Sequence, residues 1–396
     1  MTIEPFRGGE TERDKMDRFQ QIINELNNAT ATNMYGRKTA NLRKWHVALA
    51  KLRAGTYRPK VVFIGDSKDV GAGAGTTSAN TYTTAAEPRS KIAYFVKLLN
   101  AAGIPASRQS FMGSSALASI AVKQAYDPRL TGAAGWGGGS QSLGGVMFAS
   151  SVTAAITFTP DVGQVDRVEA YYKLHAGDGT ATLTVDADAT VLATMNGSAG
   201  GETIGKVVAT PARGVHAINV QRTAGGFYSL LGLIAQDSTI PAIDVIQAGA
   251  FGTTSAYHTS ISGGVWAAAN TLAVLAPDLT IIQLGSNDLQ TAVSYATYTA
   301  NILDIVTKAK AAGSDVVLEV PTFGAAGGYG SDTDRELYRQ GLISIGAANG
   351  CMVVDHAARF GTWDQANTAG LMRDAIHETE PGYADQAQAL VTALLF

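Results

Sequence analysis

Four short polar patterns in the sequence contain the residue types that nucleophilic catalysis needs. Three of them follow short apolar runs and one precedes the last helix-like segment: they are Gly65-Asp66-Ser67, the stretch 249–254, Gly285-Ser286-Asn287-Asp288 and Asp374-Ala375-Ile376-His377. Taken singly, each pattern is typical of an ordinary turn, a helix cap or a polar surface. Their occurrence together, in this order and at these places, predicts an active site.

The chemistry that these residues can perform together is attack on a carbonyl group. The Ser67 hydroxyl is a poor nucleophile by itself, and His377 can act as the general base that takes its proton. Asp374, three residues before His377, can bond the other imidazole nitrogen and fix its tautomer. An oxyanion can be stabilised by the backbone N–H groups of Ser67 and Gly252 and by the side-chain amide of Asn287. Each such donor contributes about 3 kcal/mol.

The elements that must position these residues alternate between strands and helices. Apolar runs predict buried strands at 60–64, 243–247, 279–284, 316–320 and 352–355. Apolar residues at helical spacing predict a helix from 92 to near Gly103 and further helices around 265–275, 295–312, 333–349 and 383–395. Such alternation is typical of a parallel sheet covered by helices on both faces. Ligands bind at the carboxyl ends of the strands of such sheets, so we expect the first three patterns to meet at one edge.

The middle of the chain has a different period. Apolar and polar residues alternate in 167–174, 182–186 and 216–221, with Gly, Asp and Asn turns between these stretches, which predicts an antiparallel β-sandwich. Because strand–helix units stand on both sides of it, we expect the sandwich to be an insertion. The predicted division is an N-terminal helical segment that packs or oligomerises (1–57), the first part of the α/β domain (58–125), the sandwich (126–240) and the second part of the α/β domain (241–396).

Composition excludes several classes of protein. The chain has 396 residues, of which 16% are charged and 44 are glycine, and its net charge of −3 opposes a nucleic-acid-binding role based on a basic face. Its single cysteine, Cys351, excludes an intramolecular disulfide and a thiolate zinc cluster. The apolar stretch 227–235 is too short to span a membrane, and residues 1–12 contain no apolar signal-peptide region. The histidine spacings fit no metal motif, so we expect neither a metal nor a cofactor.

Other residues offer competing interpretations. Asp355-His356 follows a predicted strand and is a rival source of the base and its acid, whereas we expect His258 at the surface or the substrate rim. The glycine-rich stretch 71–75 lacks the spacing of a nucleotide-binding turn, and we expect a flexible rim loop there. Aromatic residues of the middle region could form a sugar-binding platform or belong to the core; they are Trp136, Tyr171, Tyr172, Phe227 and Tyr228.

At the four patterns the sequence resembles the SGNH (GDSL-type) hydrolase family of esterases and lipases. The resemblance implies a flavodoxin-like three-layer α/β/α fold with a parallel five-stranded sheet, interrupted here by an antiparallel, jelly-roll-like sandwich similar to carbohydrate-binding modules. It implies that Ser67 is the nucleophile and that Asp374 and His377 complete the triad. It also implies that Gly252 and Asn287 complete the oxyanion hole with Ser67.

The chain departs from the family pattern at two places. The first motif of the family usually continues with a hydrophobic residue or Ile-Thr, where this chain has Lys68-Asp69. The last motif commonly places proline directly after the histidine, where this chain has Glu378 and reaches Pro381 only later. Both departures lie where we expect the substrate rim, and to that rim we assign three further side chains: Lys68, Asp288 and Tyr383.

The resemblance implies a serine esterase that acts on an O-acetylated oligo- or polysaccharide. A lipase or thioesterase acting on longer acyl chains is the alternative within enzymes. A non-catalytic carbohydrate-binding adhesin or phage tail protein is the alternative from another class. The expected partner is an acetylated glycan, not a nucleic acid or a membrane, and a homo-oligomer (a trimer for a phage tail protein) fits as well. We expect an extracellular or virion-associated location.

Overall fold

The computed structural model describes residues 33–37, 39–75, 85–113, 120–132, 135–161, 163–262 and 264–395. Most of the predicted N-terminal helical segment (1–57) lies outside these residues. Its described part contains a 3-10 turn over Thr39–Leu42 followed by the helix Arg43–Arg53, where Leu42, Trp45, Leu49 and Leu52 recur at helical spacing.

The strands of the described residues are, in chain order, β1 (Met34–Tyr35), β2 (Lys60–Gly65), β3 (Ala106–Ser107), β4 (Ser110–Met112), β5 (Leu130–Gly132), β6 (Trp136–Ser142), β7 (Gly145–Ser150), β8 (Ala155–Phe158), β9 (Arg167–Leu174), β10 (Thr180–Val185), β11 (Ala193–Asn196), β12 (Thr203–Ala209), β13 (Ile218–Ala224), β14 (Tyr228–Gln236), β15 (Ile243–Gln247), β16 (Leu279–Gln283), β17 (Asp315–Val320) and β18 (Met352–Asp355).

The helices of the described residues are, in chain order, α1 (Arg43–Arg53), α2 (Ser67–Val70), α3 (Lys91–Ala101), α4 (Ile120–Tyr126), α5 (Ser255–His258), α6 (Ala268–Leu275), α7 (Ser286–Gln290), α8 (Tyr295–Ala311), α9 (Asp332–Asn349), α10 (His356–Phe360), α11 (Trp363–Thr368) and α12 (Glu380–Leu395). A further 3-10 turn covers Glu87–Arg89.

A parallel sheet forms the centre of the α/β domain. Its five main strands stand in the order β15-β2-β16-β17-β18, and every neighbouring pair among them is parallel. By position in the chain this is the order 2-1-3-4-5, which is the flavodoxin-like arrangement. The predicted five-stranded parallel sheet is therefore confirmed. The two-residue strands β1, antiparallel to β18, and β3, parallel to β15, extend its edges.

Helices cover both faces of this sheet because its strands are apolar on both sides. Val62 and Ile64 of β2 join a core with residues of α6, α8 and α9, whereas Val61 and Phe63 join a second core with residues of α1, α3 and α12. Burying a side chain as large as Phe63 contributes about 2–3 kcal/mol. The result is the expected three-layer α/β/α arrangement.

Two antiparallel sheets lie between β3 and β15 in the chain. One has the order β11-β10-β13-β8-β5, and the other has the order β12-β9-β14-β7-β6 with β4 also paired to β14. Inward side chains of both sheets share one apolar cluster, which includes Leu183, Val220 and Leu230. The first strand of these sheets, β4, lies ahead of residue 126, where the sandwich was expected to begin. The four-part division of the chain stays a prediction.

The second antiparallel sheet also packs on the α/β domain through its outer face. Tyr171, Leu231 and Ile234 belong to the same core as Ile246 of the parallel sheet. Glu169 on this face is buried and pairs with Lys60 at 2.9 Å. The period-2 alternation in β9 therefore does not separate a buried face from a solvent face, because both faces are covered.

Candidate active site

Ser67 lies at the junction between the carboxyl end of β2 and the short helix α2. Asp66 caps this helix: its side chain accepts a hydrogen bond of 2.9 Å from the backbone N–H of Lys68. Burial raises the pKa of Asp66 to about 6, against the lowering effect of that hydrogen bond. Ser67 is the first residue of α2, so its backbone N–H belongs to the first turn, which has no intrahelical acceptor.

His377 connects Ser67 to Asp374. Its Nε2 atom lies 2.9 Å from Oγ of Ser67, and its Nδ1 atom lies 2.9 Å from Oδ2 of Asp374. The other carboxylate oxygen of Asp374 accepts hydrogen bonds from the backbone N–H groups of Ile376 (2.9 Å) and His377 (2.7 Å). These bonds close a tight turn that holds the carboxylate under the imidazole.

The protonation pattern follows from these partners. Although burial opposes ionisation, the hydrogen bond from His377 and its positive potential lower the pKa of Asp374 to about 2. An ionised carboxylate can only accept, so it selects the tautomer with the proton on Nδ1. The Nε2 lone pair then faces the Ser67 hydroxyl and can accept its proton.

Gly252 presents its backbone to open space beside β15. Its φ of +67° lies in the left-handed region, which favours glycine, and no described heavy atom lies within 4 Å of where a Cβ would stand. The residue is exposed, so a substrate can approach its N–H group.

Asn287 lies in the first turn of α7, whose N-cap residue is Gly285, shortly after the carboxyl end of β16. Its Nδ2 atom donates a hydrogen bond of 2.9 Å to the carbonyl oxygen of Thr253, the residue that follows Gly252. The structure therefore joins the second and third sequence patterns. The second N–H of the same amide is the group that we assign to the oxyanion.

A buried network supports this segment, and sequence reasoning missed its members Thr253 and Ser255. The Thr253 hydroxyl donates to the carbonyl of Ala250 (2.7 Å) and lies 3.0 Å from Nε2 of His258. Asp288 accepts from the backbone N–H and the hydroxyl of Ser255, at 2.9 and 2.5 Å. The two threonines directly after Gly252 were the sequence feature that could have predicted hydrogen bonds supporting this segment.

The rim assignments from the sequence are wrong. Lys68, Asp288 and Tyr383 are all 0% exposed, whereas Ser67 and Asn287 keep 5% and 7% of their surface, so the three expected rim residues offer a substrate no surface to contact. Tyr383 donates to the carbonyl of Ala72 at 2.6 Å, and Asp288 is held by Ser255. His258 is also buried rather than at the rim, and burial lowers its pKa to about 3.

The expected rim loop at 71–75 packs against His377 and Glu378 instead. Residues 71–74 are buried, and a Cβ on Gly73 would stand 2.4 Å from the carbonyl oxygen of Glu378 and 3.1 Å from Cβ of His377. Gly73 also has a φ of +92°. Glycine is required there by close approach and by backbone conformation.

The rival pair Asp355-His356 is engaged elsewhere. Nε2 of His356 lies 2.6 Å from Oε1 of Glu319, and both side chains are fully buried. Asp355 caps α10 by accepting from the backbone N–H of Ala358 at 2.9 Å, and it also pairs with Arg339 at 2.5 Å. Neither residue is the partner of Ser67.

The aromatic residues considered as a sugar-binding platform are mostly core residues. Trp136, Tyr171, Tyr172 and Tyr228 are buried, and three of them belong to the core between the two antiparallel sheets. Only Phe227 is exposed among the five, at 61%. These five residues therefore form no common exposed platform.

The fold and these contacts define an α/β hydrolase-like protein with a serine and a histidine at the carboxyl edge of its sheet. Residues 214–384 match the GDSL-like lipase/acylhydrolase family. This match contains Gly252, Asn287, Asp374 and His377, whereas Ser67 lies ahead of it, beyond the antiparallel sheets. Together with the fold, this match supports an SGNH (GDSL-type) hydrolase, an enzyme that hydrolyses ester bonds.

One solved structure agrees with this fold over most of its length. The chain is similar to a peptidoglycan O-acetylesterase, with 17% identity and a TM-score of 0.63, over 91% of this chain and 97% of that one. A shorter region is similar to an acetylxylan esterase from Geobacillus stearothermophilus, with 20% identity and a TM-score of 0.34, over 39% of this chain and 74% of that one. Comparison with curated protein sequences gives no significant match. Among the described helices, none is both long and apolar enough to cross a membrane.

Proposed function

We propose that this chain is a serine esterase that removes O-acetyl groups from an oligo- or polysaccharide. The observation that carries the proposal is the continuous series of hydrogen bonds from Ser67 through His377 to Asp374, with 2.9 Å at each step. These partners give the Ser67 hydroxyl a proton acceptor and hold that acceptor in one tautomer. The match of residues 214–384 to the GDSL-like lipase/acylhydrolase family supports the class of reaction, ester hydrolysis.

In the proposed mechanism, Oγ of Ser67 attacks the acetyl carbonyl carbon while Nε2 of His377 takes the hydroxyl proton. The tetrahedral oxyanion is stabilised by the N–H groups of Ser67 and Gly252 and by the amide of Asn287. When the intermediate collapses, His377 returns the proton to the departing sugar oxygen. Water, deprotonated by the same histidine, then attacks the acetyl-enzyme, and acetate leaves with Ser67 restored.

The openness of the site supports a polymeric substrate. The side chains of His377 and Asp374 are 14% and 41% exposed, and Gly252 faces open space. Ser67 itself is only 5% exposed, so a small acetyl group fits there better than a large acyl group, while the glycan that carries it can lie on the exposed parts of the site. The similarity to the peptidoglycan O-acetylesterase extends over 91% of this chain. The name of that protein describes the removal of O-acetyl groups from a polysaccharide-containing polymer. An extracellular or virion-associated location fits such a substrate.

The substrate proposal can be tested with two panels. Hydrolysis of p-nitrophenyl acetate, butyrate and octanoate measures the acyl preference, and acetate release from acetylated xylan and O-acetylated peptidoglycan measures the glycan preference. We expect acetate to be the preferred acyl group and at least one glycan to release acetate. Preference for octanoate would favour a lipase or thioesterase. Failure of a fluorophosphonate to label Ser67 would favour a non-catalytic carbohydrate-binding protein.

A further inference from the structure

A buried ion pair lies directly beside the catalytic serine and histidine. Nζ of Lys68 is 2.8 Å from Oε1 of Glu378, and both side chains are 0% exposed. Lys68 is the residue after Ser67, and Glu378 is the residue after His377. The pair therefore joins the immediate neighbours of the two residues between which the proton moves.

The Lys68 ammonium makes further bonds around the same turn. It donates to the carbonyl oxygen of Ile376 at 2.7 Å and to the hydroxyl of Thr322 at 2.6 Å. Ile376 precedes His377 and Glu378 follows it. Lys68 therefore binds the backbone of the residue before the histidine and the side chain of the residue after it. Because an ammonium has three donors, these three short contacts use its full capacity.

Glu378 is held in place from other elements as well. Its Oε1 atom accepts from Nε2 of Gln386 in α12 at 2.9 Å and also from the hydroxyl of Thr322. Burial disfavours its ionised form, but the Lys68 ammonium outweighs burial and lowers the pKa of the Glu378 carboxyl. The pair therefore brings a carboxylate and an ammonium together in the protein interior. Gln386 of α12 and Thr322 of the segment after β17 hold the carboxylate in place by hydrogen bonds.

The two departures from the family pattern meet in this pair. Lys68 stands where the family usually has a hydrophobic residue, and Glu378 stands where it commonly has proline. The sequence placed both at the substrate rim, whereas the structure joins them beneath the turn that carries His377. In this chain an ion pair thus occupies the two positions where the family usually has a hydrophobic residue and a proline.

We propose that Lys68 and Glu378 are positioning residues, whose ion pair sets the His377 imidazole against the Ser67 hydroxyl. This inference rests on the proposed function, because it concerns the proton transfer between these two side chains. The pair touches neither substrate nor reacting atoms. It acts by fixing the main chain of residues 376–378 relative to the start of α2, and misplacing a catalytic group by about 1 Å can cost about 100-fold in rate.

A variant set separates positioning from general stabilisation. Lys68→Met removes the ammonium, Glu378→Gln removes the carboxylate charge, and Lys68→Met/Glu378→Gln removes both charges. Arg58→Met is the matched control. Arg58 pairs with the buried Asp244 at 2.7 Å at the opposite, amino-terminal end of the sheet, so its loss also leaves a buried carboxylate without its cation. Ser67→Ala sets the background rate.

The readouts are kcat and KM for p-nitrophenyl acetate, the rate of fluorophosphonate labelling of Ser67, and the thermal unfolding midpoint. All rates are measured well below the lowest midpoint. For Lys68→Met we expect kcat and the labelling rate to fall by about 100-fold with KM within about threefold of wild type. Arg58→Met should lower the midpoint but keep kcat within about threefold of wild type, because a folded population retains an intact site.

The double variant decides between the two roles. Removing both charges eliminates the unpaired buried charge, so we expect its midpoint to recover towards the wild-type value. Its kcat should stay at least about tenfold below wild type, because the bonds from Lys68 to Ile376 and Glu378 are still absent. Recovery of kcat together with the midpoint, or a Lys68→Met variant as active as Arg58→Met, would overturn the proposal. In that case an inactive Ser67→Ala variant would leave the proposed esterase function standing.

Discussion

The Nε2 atom of His377 lies 2.9 Å from Oγ of Ser67, although 310 residues separate the two in the chain. Ser67 is presented by the first parallel strand and His377 by the turn before the last helix. The antiparallel sheets and four βα units, which begin with β15, β16, β17 and β18, lie between them in sequence. Ser67 and His377 therefore come into contact only when the complete α/β domain is folded. Disruption of the fold near either residue should disable the site.

We expect Asp374→Asn to lower kcat by about 1,000-fold or more, because an asparagine amide can present its N–H to Nδ1 and thereby favour the wrong imidazole tautomer. KM should change little, since Asp374 contacts the histidine. Steady-state hydrolysis of p-nitrophenyl acetate measures both constants. The exposed Asp364, in the first turn of α11, provides the control variant Asp364→Asn, which should behave as wild type. Equal activity of both variants would contradict the role of Asp374.

Gly252→Ala tests the oxyanion assignment through the backbone. No described heavy atom would contact the new Cβ, so its effect arises from the φ of +67°, which costs a non-glycine residue about 1–2 kcal/mol and favours rotation of the N–H group. Loss of one oxyanion donor lowers kcat by about 100- to 1,000-fold. We expect a loss in that range for p-nitrophenyl acetate hydrolysis.

Gly55→Ala is the control for this change. Gly55 has a φ of +70° and likewise no described heavy atom within 4 Å of its Cβ position, but it follows α1, away from the carboxyl edge of the sheet. The control should lose a similar amount of stability and keep its kcat. If both variants keep wild-type kcat, Gly252 does not supply an oxyanion donor.

The buried His258 predicts a pH dependence of stability. Burial lowers its folded-state pKa to about 3, whereas the unfolded chain takes up the proton near pH 6.5. The stability associated with neutral His258 is therefore complete above about pH 6.5 and is lost as the pH falls towards 3. At pH 5 the loss relative to pH 8 is about 2 kcal/mol.

Urea unfolding at pH 8 and pH 5 measures this term. We expect the difference in unfolding free energy between the two pH values to shrink by about 2 kcal/mol in His258→Gln. His46→Gln, which changes an exposed histidine of α1, should retain the wild-type difference. A wild-type pH dependence in the His258 variant would show that this histidine does not carry the effect.

The parallel sheet could be predicted because each of its main strands is an uninterrupted apolar run between helical periods. The observed ends of those strands differ from the expected ones by no more than one residue, as in β2 and β16. The strands β1 and β3 were not predictable, because two residues carry no period. Both are defined by their pairing with β18 and β15.

The surroundings of the site were less predictable than its central residues. Ser67, His377 and Asp374 follow from residue type and from their places at strand and helix ends. Lys68, Asp288 and Tyr383 were placed at the surface because polar residues beside an active-site motif are usually exposed. Whether a lysine can be buried depends on its partners, and the partner of Lys68 is Glu378, 310 residues away. A contact between residues so far apart in the chain cannot be predicted from the residues around either one.

Acetate release from one acetylated glycan, compared between the wild-type enzyme and Ser67→Ala, determines whether Ser67 is the nucleophile of an acetyl ester hydrolase. We expect the wild-type enzyme to release acetate and the variant, with an unchanged unfolding midpoint, to do so at least about 1,000-fold more slowly. Acetate release by Ser67→Ala at the wild-type rate would show that Ser67 is not the nucleophile.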